Sequence, residues 1–199
     1  RVAQDISQEV VEKTTGGILV MQGNHTLIAQ KTGSLENDIR LAKSVCCQCN
    51  YCTQLCPRNA LGLKVEPHKI MRALALNADN FGDLNGIFSC CDCGICTHYA
   101  CNFALAPSRL MTRVKQELLK AGVKPEKKVA FGVADNMESI KVPTGRLNIR
   151  LGLDKYDKEL ELKDELIETD HVRLPLKMHI GAPAVPAIKT GDTVTAGQL

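Results

Sequence analysis

Ten of the 199 residues are cysteine, and all ten fall between Cys46 and Cys101. Within that stretch, Cys46-Cys47-Gln48-Cys49-Asn50-Tyr51-Cys52-Thr53-Gln54-Leu55-Cys56-Pro57 contains the run Cys-x2-Cys-x2-Cys-x3-Cys-Pro. Three cysteines at two-residue intervals let one tight loop present three thiolates to a cubane 4Fe-4S cluster, while a more distant fourth approaches from another side. The run is duplicated. Cys90, Cys91, Cys93 and Cys96 each stand 44 positions after Cys46, Cys47, Cys49 and Cys52, and Cys101 answers Cys56 with one extra residue inserted and no proline after it.

In two-cluster ferredoxins the fourth cysteine of each run ligates the other cluster. On that logic Cys46, Cys49, Cys52 and Cys101 hold the first cube, and Cys90, Cys93, Cys96 and Cys56 hold the second. Eight thiolates suffice for two cubes, which leaves Cys47 and Cys91 over. Either can stand in for its neighbour as ligand, but only Cys46 and Cys90 keep two residues to the next cysteine, so small buried residues are the default reading for the other two. His98 lies inside the second loop and is an alternative ligand, with Cys101 preferred. A disulfide framework does not repeat triplets at this spacing. A zinc site usually pairs one Cys-x2-Cys with a second pair or with histidine.

The remaining composition narrows the class further. There are 25 Lys plus Arg against 22 Asp plus Glu, a net charge of +3, and 44% of residues are apolar. A disordered chain carries fewer apolar residues, and a nucleic-acid binder carries a larger or clustered basic excess. No apolar run approaches the roughly 18 to 20 residues of a membrane span. The start, Arg1-Val2-Ala3-Gln4-Asp5, lacks Met and a signal-peptide core, so the chain is expected to be soluble and a piece of a longer protein. Five of the seven aromatic residues, Tyr51, Phe81, Phe88, Tyr99 and Phe103, lie near the motifs, where they serve as apolar cover or as ordinary packing.

Helical periodicity appears three times: Leu35, Ile39, Ala42 and Val45 after Ser34; Ile70, Met71, Leu74 and Asn77 after Pro67; and Leu110, Met111, Val114 and Leu118 after Pro107, with Gly122 as a stop. The cysteine loops are therefore expected between helices. In both loops a sharp turn is expected after the second ligand, at Asn50 and Gly94, the residue types that most readily take positive φ. Ahead of the module, Gly17 to Gln22 and His25 to Ala29 flank Gly23-Asn24 as a hairpin would. Residues 124–170 mix Pro125, Pro143, Gly145 and a charged stretch, which predicts a connector. Val172, Leu174, Leu176, Met178 and Ile180 alternate with polar partners, the period of a half-buried strand.

Spacing and flanks together are specific. The module resembles helical dicluster ferredoxin domains. The strings Lys13-Thr14-Thr15-Gly16-Gly17-Ile18-Leu19-Val20, His179-Ile180-Gly181-Ala182-Pro183-Ala184-Val185-Pro186 and Lys189-Thr190-Gly191-Asp192-Thr193-Val194 resemble the RnfC-like family. The resemblance implies an α+β chain: residues 1–33 as the end of an SLBB-type β-grasp domain, 34–123 as the dicluster domain, 124–170 as connector and 171–199 as the first half of a barrel-sandwich domain. It further implies that a flavin and NADH domain lies before Arg1, since no G-x-G-x-x-G occurs in these residues, so that FMN and NADH are not bound by this stretch. The resemblance is strongest to members that reduce corrinoids. It implies electron transfer through two 4Fe-4S clusters to a corrinoid or a corrinoid adenosyltransferase, beside other microcompartment proteins, in bacterial cytoplasm or a microcompartment lumen. An electron-transfer subunit of an Rnf-type or other NADH-linked membrane-associated complex is the alternative within redox chemistry, and a metal-stapled assembly module is the alternative outside it. Catalytic side chains are expected in none of these.

Overall fold

The computed structural model describes residues 2–3, 5–76, 84–125, 132–165, 169–179 and 181–198. The expectations placed on Asn77, Phe81 and Ile180 lie outside the described residues. The chain divides into two compact units, Gly23–Lys158, and Arg1–Gln22 with Glu159–Leu199.

The first of these units is helical. Its helices are α1 (Thr26–Thr32), α2 (Leu35–Val45), α3 (Tyr51–Gln54), α4 (Pro57–Ala60), α5 (Pro67–Leu76), α6 (Ile95–His98), α7 (Pro107–Lys120) and α8 (Thr144–Leu151), with 3-10 turns at Asn85–Ser89 and Asp154–Tyr156. The three helices expected from periodicity are α2, α5 and α7. Ser34 caps α2 by accepting from the Asn37 N–H at 3.4 Å. Gly122, at φ 80°, ends α7 in the left-handed conformation that terminates helices.

α5 packs against both α2 and α7, and their apolar stripes close the core. Its largest fully buried side chains include Val65, Pro67, Ile70 and Met71 from one segment and Pro107, Leu110 and Met111 from another. These two segments are a second internal repeat, at an interval of 40 residues. Val65 answers the buried Leu105, Pro67 answers Pro107, Ile70 answers Leu110 and Met71 answers Met111. Lys64 and Ala104, the residues before each segment, both take positive φ, 49° and 53°. Arg109 ties α7 to the start of α2, pairing with the buried carboxylate of Asp38 and donating to the Gly33 carbonyl at 2.7 Å.

Several expectations are corrected. The turn at Gly23-Asn24 is present, but no hairpin follows, because His25 caps a helix instead: its Nδ1 accepts from the Leu27 N–H at 3.2 Å, and α1 begins at Thr26. Side chains at 17 to 22 show no clean alternation, and Ile18, Leu19 and Val20 are exposed. The stretch 124–170 holds α8, which Pro143 opens and Gly152 closes at φ 64°. α8 buries no residue, and its eight residues are too short a stretch for period alone to announce a helix.

In the second unit, Val172 and Leu174 are exposed, and no strand is present among the described residues. Alternation alone makes a strand only where a neighbouring strand supplies the ladder. Within this unit Arg173 donates to Gln8 Oε1 at 3.0 Å, and the Ala184 N–H donates to the Leu176 carbonyl at 2.7 Å. The β-grasp and barrel-sandwich parts therefore have no support in the described residues, and the supported fold is the helical dicluster domain. No helix among the described residues is long and apolar enough to cross a membrane.

The 3-10 turn Asn85–Ser89 leads into Cys90, and Gly86 lets it lie against the chain before α5. A β-carbon on Gly86 would collide with the Lys64 carbonyl, which is backbone and cannot yield. Gly86→Ala is expected to displace this turn and lower the iron content of the reconstituted protein toward one cluster. Retention of two clusters at wild-type thermal stability would show that the close approach is unimportant.

Candidate iron-sulfur centres

Both cysteine loops are built on the same backbone. In the first, Gln48 and Asn50 take positive φ, 58° and 68°, and in the second Asp92 and Gly94 do so, at 54° and 76°. The expected turns at Asn50 and Gly94 are present. Those at Gln48 and Asp92 were not foreseen, because neither residue type signals the conformation as glycine does. Two left-handed residues flank the middle cysteine of each loop and turn the chain about it. Each loop then enters a one-turn helix. The Asn50 carbonyl accepts from the N–H groups of Thr53 and Gln54, both at 3.0 Å, and the Gly94 carbonyl accepts from Thr97 at 3.0 Å and His98 at 2.9 Å.

The structure distributes the thiols unevenly. Cys56 is buried, Cys46, Cys52, Cys90, Cys96 and Cys101 are half-buried, and Cys47, Cys49, Cys91 and Cys93 are exposed. The default reading of Cys47 and Cys91 as buried small residues is thus incorrect, since both are exposed. None of the ten forms a disulfide.

Burial raises the Cys52 thiol to about 12, with the negative charges of Cys46, Cys49 and Cys101 adding to it. Those three are the cysteines grouped with Cys52 in the sequence. Around Cys96, burial again pushes the thiol up, and Cys52, Cys90, Cys56 and Cys93 add to it. Cys56, Cys90, Cys91, Cys93, Cys96 and Arg58 line one cavity of about 20 Å³. Thiols desolvated together, whose negative charges would repel one another, are a donor set suited to a cationic centre, and metal binding removes their protons. Among the described residues no three metal-ligating side chains converge on a single point. A cubane asks for no such convergence, since it takes one thiolate per iron.

Hydrogen bonds to sulfur accompany the loops. Gln48 Nε2 donates to Cys46 Sγ at 3.2 Å, and the Asp92 N–H donates to Cys90 Sγ at 3.5 Å. Asp92 is itself held by Thr112 Oγ1 at 2.9 Å, and Lys115 Nζ donates to the Cys90 carbonyl at 3.1 Å. Burial opposes ionisation of Cys91, but hydrogen bonds led by that from Arg58 outweigh it and hold the thiol below its ordinary value. Arg150 of α8 donates to the Cys101 carbonyl at 3.2 Å and lies over the Tyr99 ring, 5.5 Å from its centroid. His98 is engaged elsewhere, its Nδ1 standing 3.1 Å from Gln30 Oε1, and burial lowers its pKa. Of the aromatic residues expected as cover, Tyr51 and Phe103 are about half exposed, while Phe88 packs against the core.

Residues 45–106 match the 4Fe-4S dicluster domain family. Over 190 residues, 94% of its length, the chain is 35% identical to cobalamin reductase PduS of Salmonella typhimurium, and over the same length 34% identical to cobalamin reductase PduS of Citrobacter freundii. The chain is a homologue of part of cobalamin reductase PduS. It spans 42% of the length of each of these relatives. No solved structure matches the chain. The dicluster domain carries two 4Fe-4S clusters, and its chemistry is electron transfer.

Positive φ costs a residue with a β-carbon roughly 1 to 2 kcal/mol, and less for asparagine. At Gly94 a β-carbon would also stand 2.8 Å from His98 Cδ2. Asn50→Gly is therefore expected to keep both clusters, whereas Gly94→Ala should weaken the second, seen as faster loss of visible absorption on warming. Equal behaviour of the two variants would contradict this account of the loops.

Proposed function

We propose that this chain is the electron-transfer part of a flavin- and NADH-linked corrinoid reductase, and that its clusters are ligated crosswise. Similarity over 94% of the chain to cobalamin reductase PduS carries the first half of this reading. Cys46, Cys49, Cys52 and Cys101 serve one cluster, and Cys90, Cys93, Cys96 and Cys56 serve the other. The grouping of charges around Cys52, and the shared cavity of Cys56 with Cys90, Cys93 and Cys96, support the second half.

Each 4Fe-4S cluster, when bound, carries a single electron. The residues do the rest: the loops fix the thiolates, the core helices fix the loops, and N–H groups turned toward sulfur ease the added negative charge. Hydride from NADH delivers two electrons together, so a flavin must stand between it and one-electron carriers. That flavin belongs to a domain ahead of Arg1 in this reading, and the corrinoid or its adenosyltransferase receives the electrons. The corresponding location is a bacterial microcompartment lumen or the cytoplasm beside it.

Two experiments test this. Anaerobically reconstituted protein, reduced and freed of excess reductant, should be reoxidised by a corrinoid with appearance of its cobalt(II) spectrum. Clusters that stay reduced with corrinoid yet regain their brown absorption with ferricyanide would exclude the acceptor. For ligation, Cys101→Ser and Cys46→Ser should perturb the same EPR signal, and Cys56→Ser and Cys90→Ser the other. Pairing of Cys56→Ser with Cys46→Ser would overturn the crossed assignment.

A further inference from the structure

The two halves of the domain differ at one equivalent position that touches both a helix N-terminus and a cysteine loop. The residue after Thr53's ligand neighbour Cys52 is matched by Thr97 after Cys96, and each threonine reaches the helix that follows its loop. Thr53 Oγ1 accepts from the His68 N–H at 3.3 Å and lies 2.7 Å from His68 Nδ1. Thr97 Oγ1 accepts from the Ser108 N–H at 2.9 Å and lies 2.7 Å from Ser108 Oγ. His68 and Ser108 are 40 residues apart, the interval of the repeat, so a titratable ring occupies one half and a hydroxyl the other.

We propose that His68 is a proton-binding site coupled through the Thr53 hydroxyl to the cluster that Cys52 ligates, and that Ser108, its counterpart, offers the second cluster no such relay. The coupling follows from counting hydrogens. Threonine has one hydroxyl proton and two lone pairs. The His68 N–H occupies one lone pair. While Nδ1 of a neutral ring is an acceptor, the Thr53 proton is spent on it. When the ring carries a proton on both nitrogens, Nδ1–H donates to Thr53 Oγ1, and the hydroxyl proton is freed to turn toward the adjacent Cys52, whose thiolate a Thr53 hydrogen bond favours. A hydrogen bond to a ligand sulfur, and a positive charge behind it, favour the cluster that has gained an electron. One electron arriving from reduced flavin or a chemical reductant is therefore accompanied by one proton passing from solvent to the half-buried His68, and reoxidation releases both.

The surroundings leave His68 room to gain that proton. Burial holds its pKa below the ordinary value of 6.5; Glu66 opposes this, and Lys69 and Arg72 reinforce it. α3 presents Thr53 to the ring, with Cys52 beyond. On the other helices against α5, the charges nearest the core are engaged elsewhere: Asp38 of α2 with Arg109 of α7, and Lys115 of α7 with the Cys90 carbonyl and Asp92. The potential of this cluster then falls as pH rises through a window that opens at the oxidised-state pKa, below 6.5, and closes at the higher reduced-state pKa.

The inference rests on the two-cluster reading, and the test separates them. Iron and sulfide content establish loading of the wild-type protein, and EPR-monitored redox titrations then follow each cluster between about pH 5 and 8. One midpoint should fall with pH by up to about 59 mV per unit, the tenfold change in proton activity converted for one electron, and more steeply than the other. His68→Ser, which copies the second half, should take the excess slope from the first. Ser108→His should bring a steeper slope to the second. A loaded wild-type protein with two equal slopes overturns this inference alone, as does an excess slope that survives in loaded His68→Ser. A protein that takes up no iron overturns both readings.

Discussion

Four thiolates must be gathered out of water around each cluster while repelling one another, and the rest of the domain answers to that requirement. Burial together with the neighbouring sulfurs carries Cys52 up to about 12, so its proton is one that binding of a cationic cluster would release. A chain of six or seven residues can supply three of the four only by reversing direction around the middle one. Hence the paired left-handed residues, Gln48 with Asn50 and Asp92 with Gly94. Strain at three positions with a β-carbon persists because the helices on either side over-determine the loop.

Those helices are anchored as much by the loops as the loops by them. α7 has no side-chain cap of its own at Ala106, and the N–H of Ser108 is satisfied instead by Thr97, a residue of the cysteine loop. The His68 N–H of α5 is satisfied by Thr53 in the same way. Pro67 and Pro107, which lack an N–H, sit buried at the first helical turn beside these bonds. Folding of the core and shaping of the sites are thus a single event, and substitutions at the core repeat will be felt at the cysteines.

The cysteine repeat and the helices carrying large apolar stripes were legible because each leaves a regular interval in the sequence. The core repeat was not, although Val65-Glu66-Pro67 and Leu105-Ala106-Pro107 are both printed in it. Its interval is 40 where that of the cysteines is 44, so four residues lost between loop and helix hide it from a single-interval comparison. α1 was misread because His25 is an uncommon cap, and the apolar run it opens is too short for period to separate helix from strand. α8 is only eight residues long, too short for its apolar period to stand out between Pro143 and the charged stretch that follows. The alternation from Val172 onward is genuine in the sequence, yet period 2 states only which side chains share a face. Whether a strand forms depends on a partner that no local pattern can specify.

Duplication makes two like sites, and the residues between the ligands make them unlike. Gln48 turns a neutral amide onto Cys46, whereas its counterpart Asp92 brings a carboxylate to Cys90 and needs Thr112 and Lys115 to hold it. Arg58 addresses Cys91 beside one site, and Arg150 addresses the Cys101 carbonyl beside the other. A one-electron carrier becomes more negative on reduction, so every such difference in local charge and hydrogen bonding is a difference in potential. In the proposed two-cluster reading, these surroundings set the two potentials separately and bias where an entering electron rests. In that reading the side chains outside the ligand set weigh on the direction of transfer together with the one unlike pair of ligands, the buried Cys56 and the half-buried Cys101.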